Sequence, residues 1–189
     1  MNYGEYVRQN FSSMEAIDAS RLDSALAHLE PLRAGNNTLW VAGNGGSAST
    51  ASHFVADLNK TVLSGGNSIK TIALSEMISL VTAYSNDVSF EDSYSEMLKN
   101  FAKQGDLLLI LSVSGKSPNL VKCLETAMSM GLKAMCIVGE SGQYLAEQCD
   151  VGIVINSVDY QIVENAHIFI MHWIVKQFMF LSEASDTQT

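Results

Sequence analysis

A histidine and an aspartate stand four residues apart just after a glycine-rich segment. The segment, Gly43-Asn-Gly-Gly-Ser47, follows a short apolar stretch, and His53 and Asp57 lie in the helical pattern behind it. A helix that begins at Ser47 directs free N–H groups and the positive end of its dipole at the loop, which suits an anion such as a phosphate. Because residues four apart share a helix face, both side chains can act on one ligand. The segment predicts chemistry on a phosphorylated small molecule.

A second loop with anion-binding character runs from Ser112 to Ser117. Its sequence, Ser-Val-Ser-Gly-Lys-Ser, lies between an apolar run and Pro118, a residue typical of a first helical turn. Hydroxyl and N–H groups in such a loop can hold a phosphate without an arginine, although the spacing of a P-loop is absent. For one loop alone, a serine-rich helix cap explains the sequence equally well. Two such loops after two strands favour a sugar-phosphate site.

Three ionisable side chains lie in the final predicted helix, namely Glu164, His167 and His172. Glu164 and His172 are two turns apart with an offset of about 80°, so both can line one groove. His167 fits either that groove or a core position in which its ring nitrogens are satisfied. Apolar residues at 169–171 and 173–174 predict that His172 is buried, and a buried imidazole needs a partner.

The elements that must position these residues alternate along the chain. Residues 2–33 have the periodicity of one or two helices, which we expect to end at Pro31 and at residues 35–37. Ser64 to Asn67 break the chain again. Strands are predicted at 38–42, 69–74, 107–112, 133–138 and 151–155, and the last helix at 161–182. This alternation predicts an α/β fold, a doubly wound five-stranded parallel sheet with ligands at the carboxyl ends of its strands.

The composition indicates one compact globular domain without a nucleic-acid or membrane partner. Of 189 residues, 47% are hydrophobic and 16% charged, and the net charge of -9 argues against a nucleic-acid surface. The longest apolar stretch, 168–181, is too mixed to span a membrane. We expect no signal peptide, and three scattered cysteines suit reduced thiols in the cytoplasm. No linker divides residues 1–189, so a helical segment at 1–35 and an α/β core at 36–184 form a single domain.

At these motifs the chain resembles the sugar isomerase (SIS) domain family, and within it most the phosphoheptose isomerases. Those enzymes convert sedoheptulose 7-phosphate to glycero-manno-heptose 7-phosphate. The resemblance covers nearly the whole chain, and the motifs that carry it are Gly43 to Ser47 with His53, Asn86-Asp87, Ser112 to Asn119, and Glu164 with His167 and His172. It implies a flavodoxin-like fold and a homotetramer that uses the N-terminal helices for assembly and has active sites between subunits.

The resemblance also implies one zinc ion per subunit, for which iron or manganese could substitute. The positions of the family's metal ligands correspond to His53, Asp57, Glu164 and His172 of this chain. The positions of its catalytic groups correspond to Asp57, Glu164 and His172. Its substrate contacts fall on residues of both loops and of one further turn: Asn44, Gly45, Gly46, Ser47, Asn86, Asp87, Ser112, Val113, Ser114 and Ser117.

Several positions depart from the family pattern. Asp57 stands where the family has glutamate, Glu164 where it has glutamine, and Val113 where it has threonine. Our first hypothesis is aldose–ketose isomerisation through an enediol, with Asp57 or Glu164 as the base and His172 as the opposing acid/base or a metal ligand. The departures leave two alternatives: a non-catalytic phosphosugar-binding adaptor of the type that associates with a replication initiator, and an isomerase of another sugar phosphate.

Overall fold

The computed structural model describes residues 1–61 and 68–186, so the predicted break at Ser64 to Asn67 lies outside the described residues. Within them are five strands: β1 Leu39–Gly43, β2 Thr71–Ala73, β3 Leu107–Ser112, β4 Lys133–Gly139 and β5 Val151–Ile155. All pair in parallel, in the order β2-β1-β3-β4-β5. The prediction of a five-stranded parallel α/β fold is confirmed.

Helices flank this sheet on both faces. They are α1 Tyr3–Glu15, α2 Ala19–Ala34, α3 Gly45–Lys60, α4 Ile78–Asp87, α5 Ser93–Phe101, α6 Pro118–Ser129, α7 Gln143–Ala146 and α8 Tyr160–Asp186. Within the described parts of the chain, none of these helices combines the length and the apolar character needed to cross a bilayer.

Several helix boundaries differ from the sequence prediction. Helix α3 begins at Gly45 rather than Ser47, and the last helix spans Tyr160–Asp186 rather than 161–182. Of the two expected stop signals for α2, Pro31 lies inside the last turn, and the helix continues to Ala34 and ends at the second signal, residues 35–37. A proline there removes one N–H bond, while the neighbouring Leu29 and Leu32 are buried at 0% and 4% exposure. Burial of these side chains against the sheet holds the last turn in place.

The sheet separates two hydrophobic cores. In β3, Leu107, Leu109 and Leu111 face the core that contains α2, α3 and α8, whereas Leu108 and Ile110 face the core that contains α5 and α6. Since successive side chains of a strand point to opposite faces, a strand covered on both faces must be apolar throughout. This explains the uninterrupted apolar run of β3.

Asp106 links the start of β1 to the segment that precedes β3 at the amino-terminal edge of the sheet, opposite the loops described above. Its carboxylate accepts hydrogen bonds from Thr38 N at 2.9 Å, Trp40 Nε1 at 2.9 Å and Lys103 N at 3.1 Å. The side chain is only 2% exposed, so its charge is stabilised by these donors rather than by water. Asp106 thereby fixes the start of β1 beside the start of β3.

We expect the Asp106→Asn variant to be less stable by about 2 kcal/mol, because an amide group turns N–H donors toward backbone and indole donors. Urea unfolding at a fixed protein concentration measures the change. The exposed Asp23 on α2 provides the matched control, Asp23→Asn, which should unfold like the wild type. Wild-type stability of Asp106→Asn would contradict this anchoring role.

Candidate active site

The strand order brings the two predicted anion-binding loops together. Strand β1 lies between β2 and β3, so the connections after β1 and β3 leave the sheet in opposite directions and open a crevice at the carboxyl ends of these strands. The loop after β1 leads into α3, and the loop after β3 leads into α6. Both helix N-termini therefore border the same crevice.

A pocket of about 90 Å³ lies between the two loops. It is lined by predicted substrate residues of both loops, by one leucine each from β3 and α6, and by two residues of α8: Asn44, Ser47, Ser112, Val113, Ser114, Ser117, then Leu111 and Leu120, then Tyr160 and Glu164. Gly45 and Gly46 begin α3 as exposed residues. Val113 lines the pocket and also belongs to the hydrophobic core that contains α3 and α8, and its carbonyl accepts a hydrogen bond from Gly139 N at 3.0 Å.

Two of the serine side chains of this pocket are oriented by backbone hydrogen bonds. Ser112 Oγ accepts from Gly115 N at 3.0 Å, and Ser114 Oγ accepts from Lys116 N at 3.2 Å. Because each oxygen already accepts a bond, its own O–H is left to donate to a ligand. The pocket thus offers neutral donors to an anion.

The carboxylate of Glu164 lies directly over the start of α3. A side chain added at Gly46 would overlap that carboxylate with its Cβ atom, so the glycine permits the close approach. Tyr160, one turn earlier on α8, lines the same pocket and is 59% exposed. Sequence reasoning missed Tyr160, although its spacing of four residues from Glu164 places both on one helix face.

His53, Asp57 and His172 form a cluster between α3 and α8. His53 Nε2 lies 3.3 Å from Asp57 Oδ2, and His172 Nε2 lies 3.8 Å from the same oxygen. The two Nε2 atoms are 3.5 Å apart. The packing of α3 against α8 on one face of the sheet brings these residues together.

The cluster fits a zinc ion. In a tetrahedral site with bonds of about 2.0–2.2 Å, ligand atoms lie about 3.3–3.6 Å from one another. Two of the separations in this cluster, 3.3 and 3.5 Å, fall in that range, and the third, 3.8 Å, is slightly longer. Zinc binds a donor set of two imidazoles and one carboxylate, and iron and manganese bind the same set. Glu164 is not part of this group of described residues; it faces the pocket between the loops.

The prediction that His172 is buried is wrong. Its side chain is 51% exposed, as is that of His53, and Asp57 is 22% exposed. The neighbours of His172 on α8, Met171 and Ile174, are buried at 2% and 1%. A helix turns about 100° per residue, so these residues face the core while the imidazole lies at the edge of α8, beside α3.

Asn86 and Asp87 lie apart from this pocket. They end α4, both are exposed, and Asn86 Nδ2 donates to Asp87 Oδ1 at 2.7 Å. Among the described residues, neither lines the pocket between the loops. Their assignment as substrate contacts stays a prediction.

His167 is a core residue. It is fully buried, and its Nε2 lies 3.0 Å from the carbonyl oxygen of Ile137 in β4. Since a carbonyl only accepts, Nε2 carries the proton and donates; Nδ1 has no hydrogen-bond partner among residues 1–61 and 68–186. Burial lowers the pKa of His167 to about 4, and the bond to Ile137 only partly opposes this. The imidazole is therefore neutral at pH 7.

Comparisons with known proteins agree with the resemblance read from the motifs. The SIS domain family matches residues 2–139. A probable phosphoheptose isomerase of Thermoplasma volcanium is 33% identical over 174 residues, which are 92% of this chain and 89% of the relative. The phosphoheptose isomerase of Campylobacter concisus is 35% identical over 77% of this chain and 76% of its own. The predicted membership of the SIS domain family is confirmed.

Solved structures share the fold. The phosphoheptose isomerase of Neisseria gonorrhoeae superimposes with a TM-score of 0.84 at 22% identity, covering 93% of this chain and 96% of that one. The Francisella tularensis enzyme gives a TM-score of 0.85, also at 22% identity, covering 93% and 94%.

We expect His167 to make stability depend on pH. Its pKa is near 4 in the folded chain and 6.5 as a free side chain, so the unfolded chain binds the proton more readily between these values. The contribution of the neutral, buried His167 to the free energy of unfolding is fully present above pH 6.5 and decreases as the pH falls toward 4. Between pH 7 and pH 5, protonation of this residue in the unfolded chain lowers the free energy of unfolding by about 2 kcal/mol.

Urea unfolding at both pH values measures this effect. The wild type should lose more stability on acidification than the His167→Gln variant, by the amount given above. An equal loss in both proteins would contradict the assignment of His167 as a buried neutral histidine.

Proposed function

The chain belongs to the SIS domain family, and on that premise we propose that it isomerises sedoheptulose 7-phosphate to D-glycero-D-manno-heptose 7-phosphate. The observation that carries the proposal is a carboxylate, Glu164, lining a pocket between two anion-binding loops, with a cluster of metal-ligand type nearby. The relatives named phosphoheptose isomerase support the choice of a seven-carbon sugar.

The phosphate end of the substrate binds between the loops. Ser112 and Ser114 present O–H donors held by backbone bonds, and α3 and α6 direct the positive ends of their dipoles at the same pocket. Binding at this end fixes the distance from the phosphate to the reacting carbons. That positioning is itself a large part of the catalysis in such a reaction.

Glu164 moves the proton. In the isomerisation, a base takes the proton from C1 of the ketose and returns it to C2, while the hydroxyl proton at one oxygen is transferred to the other. Asp57 Oδ2 lies 3.3 Å from His53 and 3.8 Å from His172, so this oxygen of the carboxylate faces the two imidazoles. The carboxylate of Glu164 instead faces the pocket, so of the two candidates we assign Glu164 as the base.

His53, Asp57 and His172 would hold the metal; Glu164, the fourth ligand that the resemblance implies, is not part of this cluster of described residues and faces the pocket between the loops. When bound, a zinc ion polarises the carbonyl and stabilises the negative charge that develops on its oxygen. The chain's own contribution is to hold the three ligands together: Asp57 Oδ2 lies 3.3 and 3.8 Å from the two Nε2 atoms, and the imidazole rings meet edge to face at 5.0 Å.

A second copy of the chain covers the exposed apolar surface beside this cluster. Ile168 and Phe169 on α8 are 36% and 53% exposed, and Phe11 on α1 is 60% exposed. Helix α1 packs on α8, where Asn165 Nδ2 donates to the hydroxyl of Tyr6 at 2.7 Å. Exposed apolar side chains on two helices that pack together support the proposal of a homotetramer with sites at subunit interfaces.

Metal content and substrate range test the function. We expect about one ion per subunit, lost in His53→Ala and retained in His28→Ala, since His28 bonds Ser24 O on α2 instead. The metal-loaded protein should convert sedoheptulose 7-phosphate, followed by product chromatography. If the protein converts only five- or six-carbon ketose phosphates, its substrate is another sugar phosphate. If it converts none of them, we would conclude that it is a phosphosugar-binding adaptor and not an enzyme.

The role of Glu164 has its own test. Glu164→Gln keeps the shape of the side chain but removes the base, so kcat should fall by about 10²–10⁴ with the metal retained. Gly46→Ala should also lower kcat, because the new methyl group displaces the carboxylate, while helix stability is unchanged or improved. The exposed Glu140, at the same edge of the sheet, gives the control Glu140→Gln.

Light scattering should give the same oligomeric mass for all three variants. Wild-type kcat in Glu164→Gln would exclude Glu164 as the base and return the role to Asp57. In that case glutamine, the residue of the family pattern, would serve at this position as a ligand only.

A further inference from the structure

Two helices that border the substrate pocket begin with residues that do not cap them. Asn44 precedes α3 and Ser117 precedes α6, yet within the described first turns neither side chain accepts a bond from a backbone N–H. Asparagine is among the most effective N-cap residues, so its failure to cap α3 requires a specific cause. Without a cap, the N–H groups of the first turn stay available to a ligand.

The cause is a reciprocal pair of amides between the loops. Asn44 Nδ2 donates to Asn119 Oδ1 at 2.9 Å, and Asn119 Nδ2 donates to Asn44 Oδ1 at 2.9 Å. Asn119 lies in the first turn of α6 and is 1% exposed. The pair therefore ties the start of α3 to the start of α6 across the pocket, and it occupies the oxygen with which Asn44 would otherwise cap its own helix.

We propose that Asn119 is a positioning residue of the phosphate site. It holds the Asn44 amide away from the first turn of α3, which keeps the N–H groups of Gly46 and Ser47 free for the phosphate, and it sets the spacing of the two loops. This inference rests on the proposed function, because it presumes that a phosphate group binds between the loops. Asn119 itself touches neither the phosphate nor the reacting carbons.

The inference predicts a competition that a purely structural role would not produce. Once Asn119 is removed, Asn44 Oδ1 is free to accept from Gly46 N or Ser47 N. The phosphate must then displace this cap before it binds, and a cap of ordinary strength corresponds to a loss of phosphate affinity of about five- to tenfold. Removing Asn44 as well abolishes the competing cap and should restore part of the affinity.

Inorganic phosphate serves as the probe, and its inhibition constant against sugar-phosphate turnover is measured for the full-length, metal-loaded protein. In Asn119→Ala the inhibition constant and KM should both rise about five- to tenfold, with kcat changed less than twofold. The double variant Asn44→Ala/Asn119→Ala should bind phosphate more tightly than Asn119→Ala alone. If Asn119→Ala does not fold, Asn119→Ser, whose hydroxyl can hold a water in the space of the amide, is expected to show the same changes.

A buried asparagine elsewhere provides the matched control. Asn10 on α1 is 9% exposed and accepts a bond from Asn165 Nδ2 at 2.9 Å, so Asn10→Ala removes a comparable link between two helices. It should lower the melting temperature without changing phosphate inhibition. An unchanged inhibition constant in Asn119→Ala, or a double variant no better than the single one, overturns the inference. A wild-type protein that neither turns over a sugar phosphate nor binds phosphate instead overturns the proposed function.

Discussion

The contact between α3 and α8 is the interaction on which the candidate site depends. Both helices bury apolar side chains in one core, with Phe54 of α3 at 1% exposure and Ile170 of α8 also at 1%. Their polar edges meet as a consequence of that burial. His53 and His172, 119 positions apart in the chain, come within 3.5 Å of each other only because hydrophobic packing fixes the two helices. The cluster of His53, Asp57 and His172 therefore depends on core packing between the two helices, because interactions within one helix cannot bring His172 to His53.

In the proposed function, the pocket between the loops lets an acidic protein bind an anion. The chain has a net charge of -9, and the pocket is lined by hydroxyls, amides and two helix N-termini rather than by arginines. Neutral donors fixed by the backbone attract a phosphate at short range without a strong long-range field. Such a site selects its ligand by geometry, and the carboxylate of Glu164 can then lie in the same pocket.

The sequence predicted the fold and the two loops because these are local properties. The apolar runs of β3 and β5, and the glycines and serines after β1 and β3, each form a pattern within a few residues. The exposure of His172 could not be predicted, since every neighbour on α8 is apolar and the sequence does not show which residue lies at the edge beside α3. The pairing of Asn44 with Asn119 joins residues 75 positions apart, and no local pattern connects them. Their contact depends on the strand order, which sets the loops side by side.

Helix α8 meets three demands on three of its faces. Val163 and Ile170 enter the core, Glu164 faces the pocket between the loops, and His172 faces α3. One residue inserted or deleted between Glu164 and His172 would rotate everything beyond it by about 100° and so turn the imidazole away from its partners. The exposed positions of this segment can accept many different side chains, but the number of residues in it has no such freedom. In this part of the molecule, substitutions are tolerated far more easily than insertions or deletions.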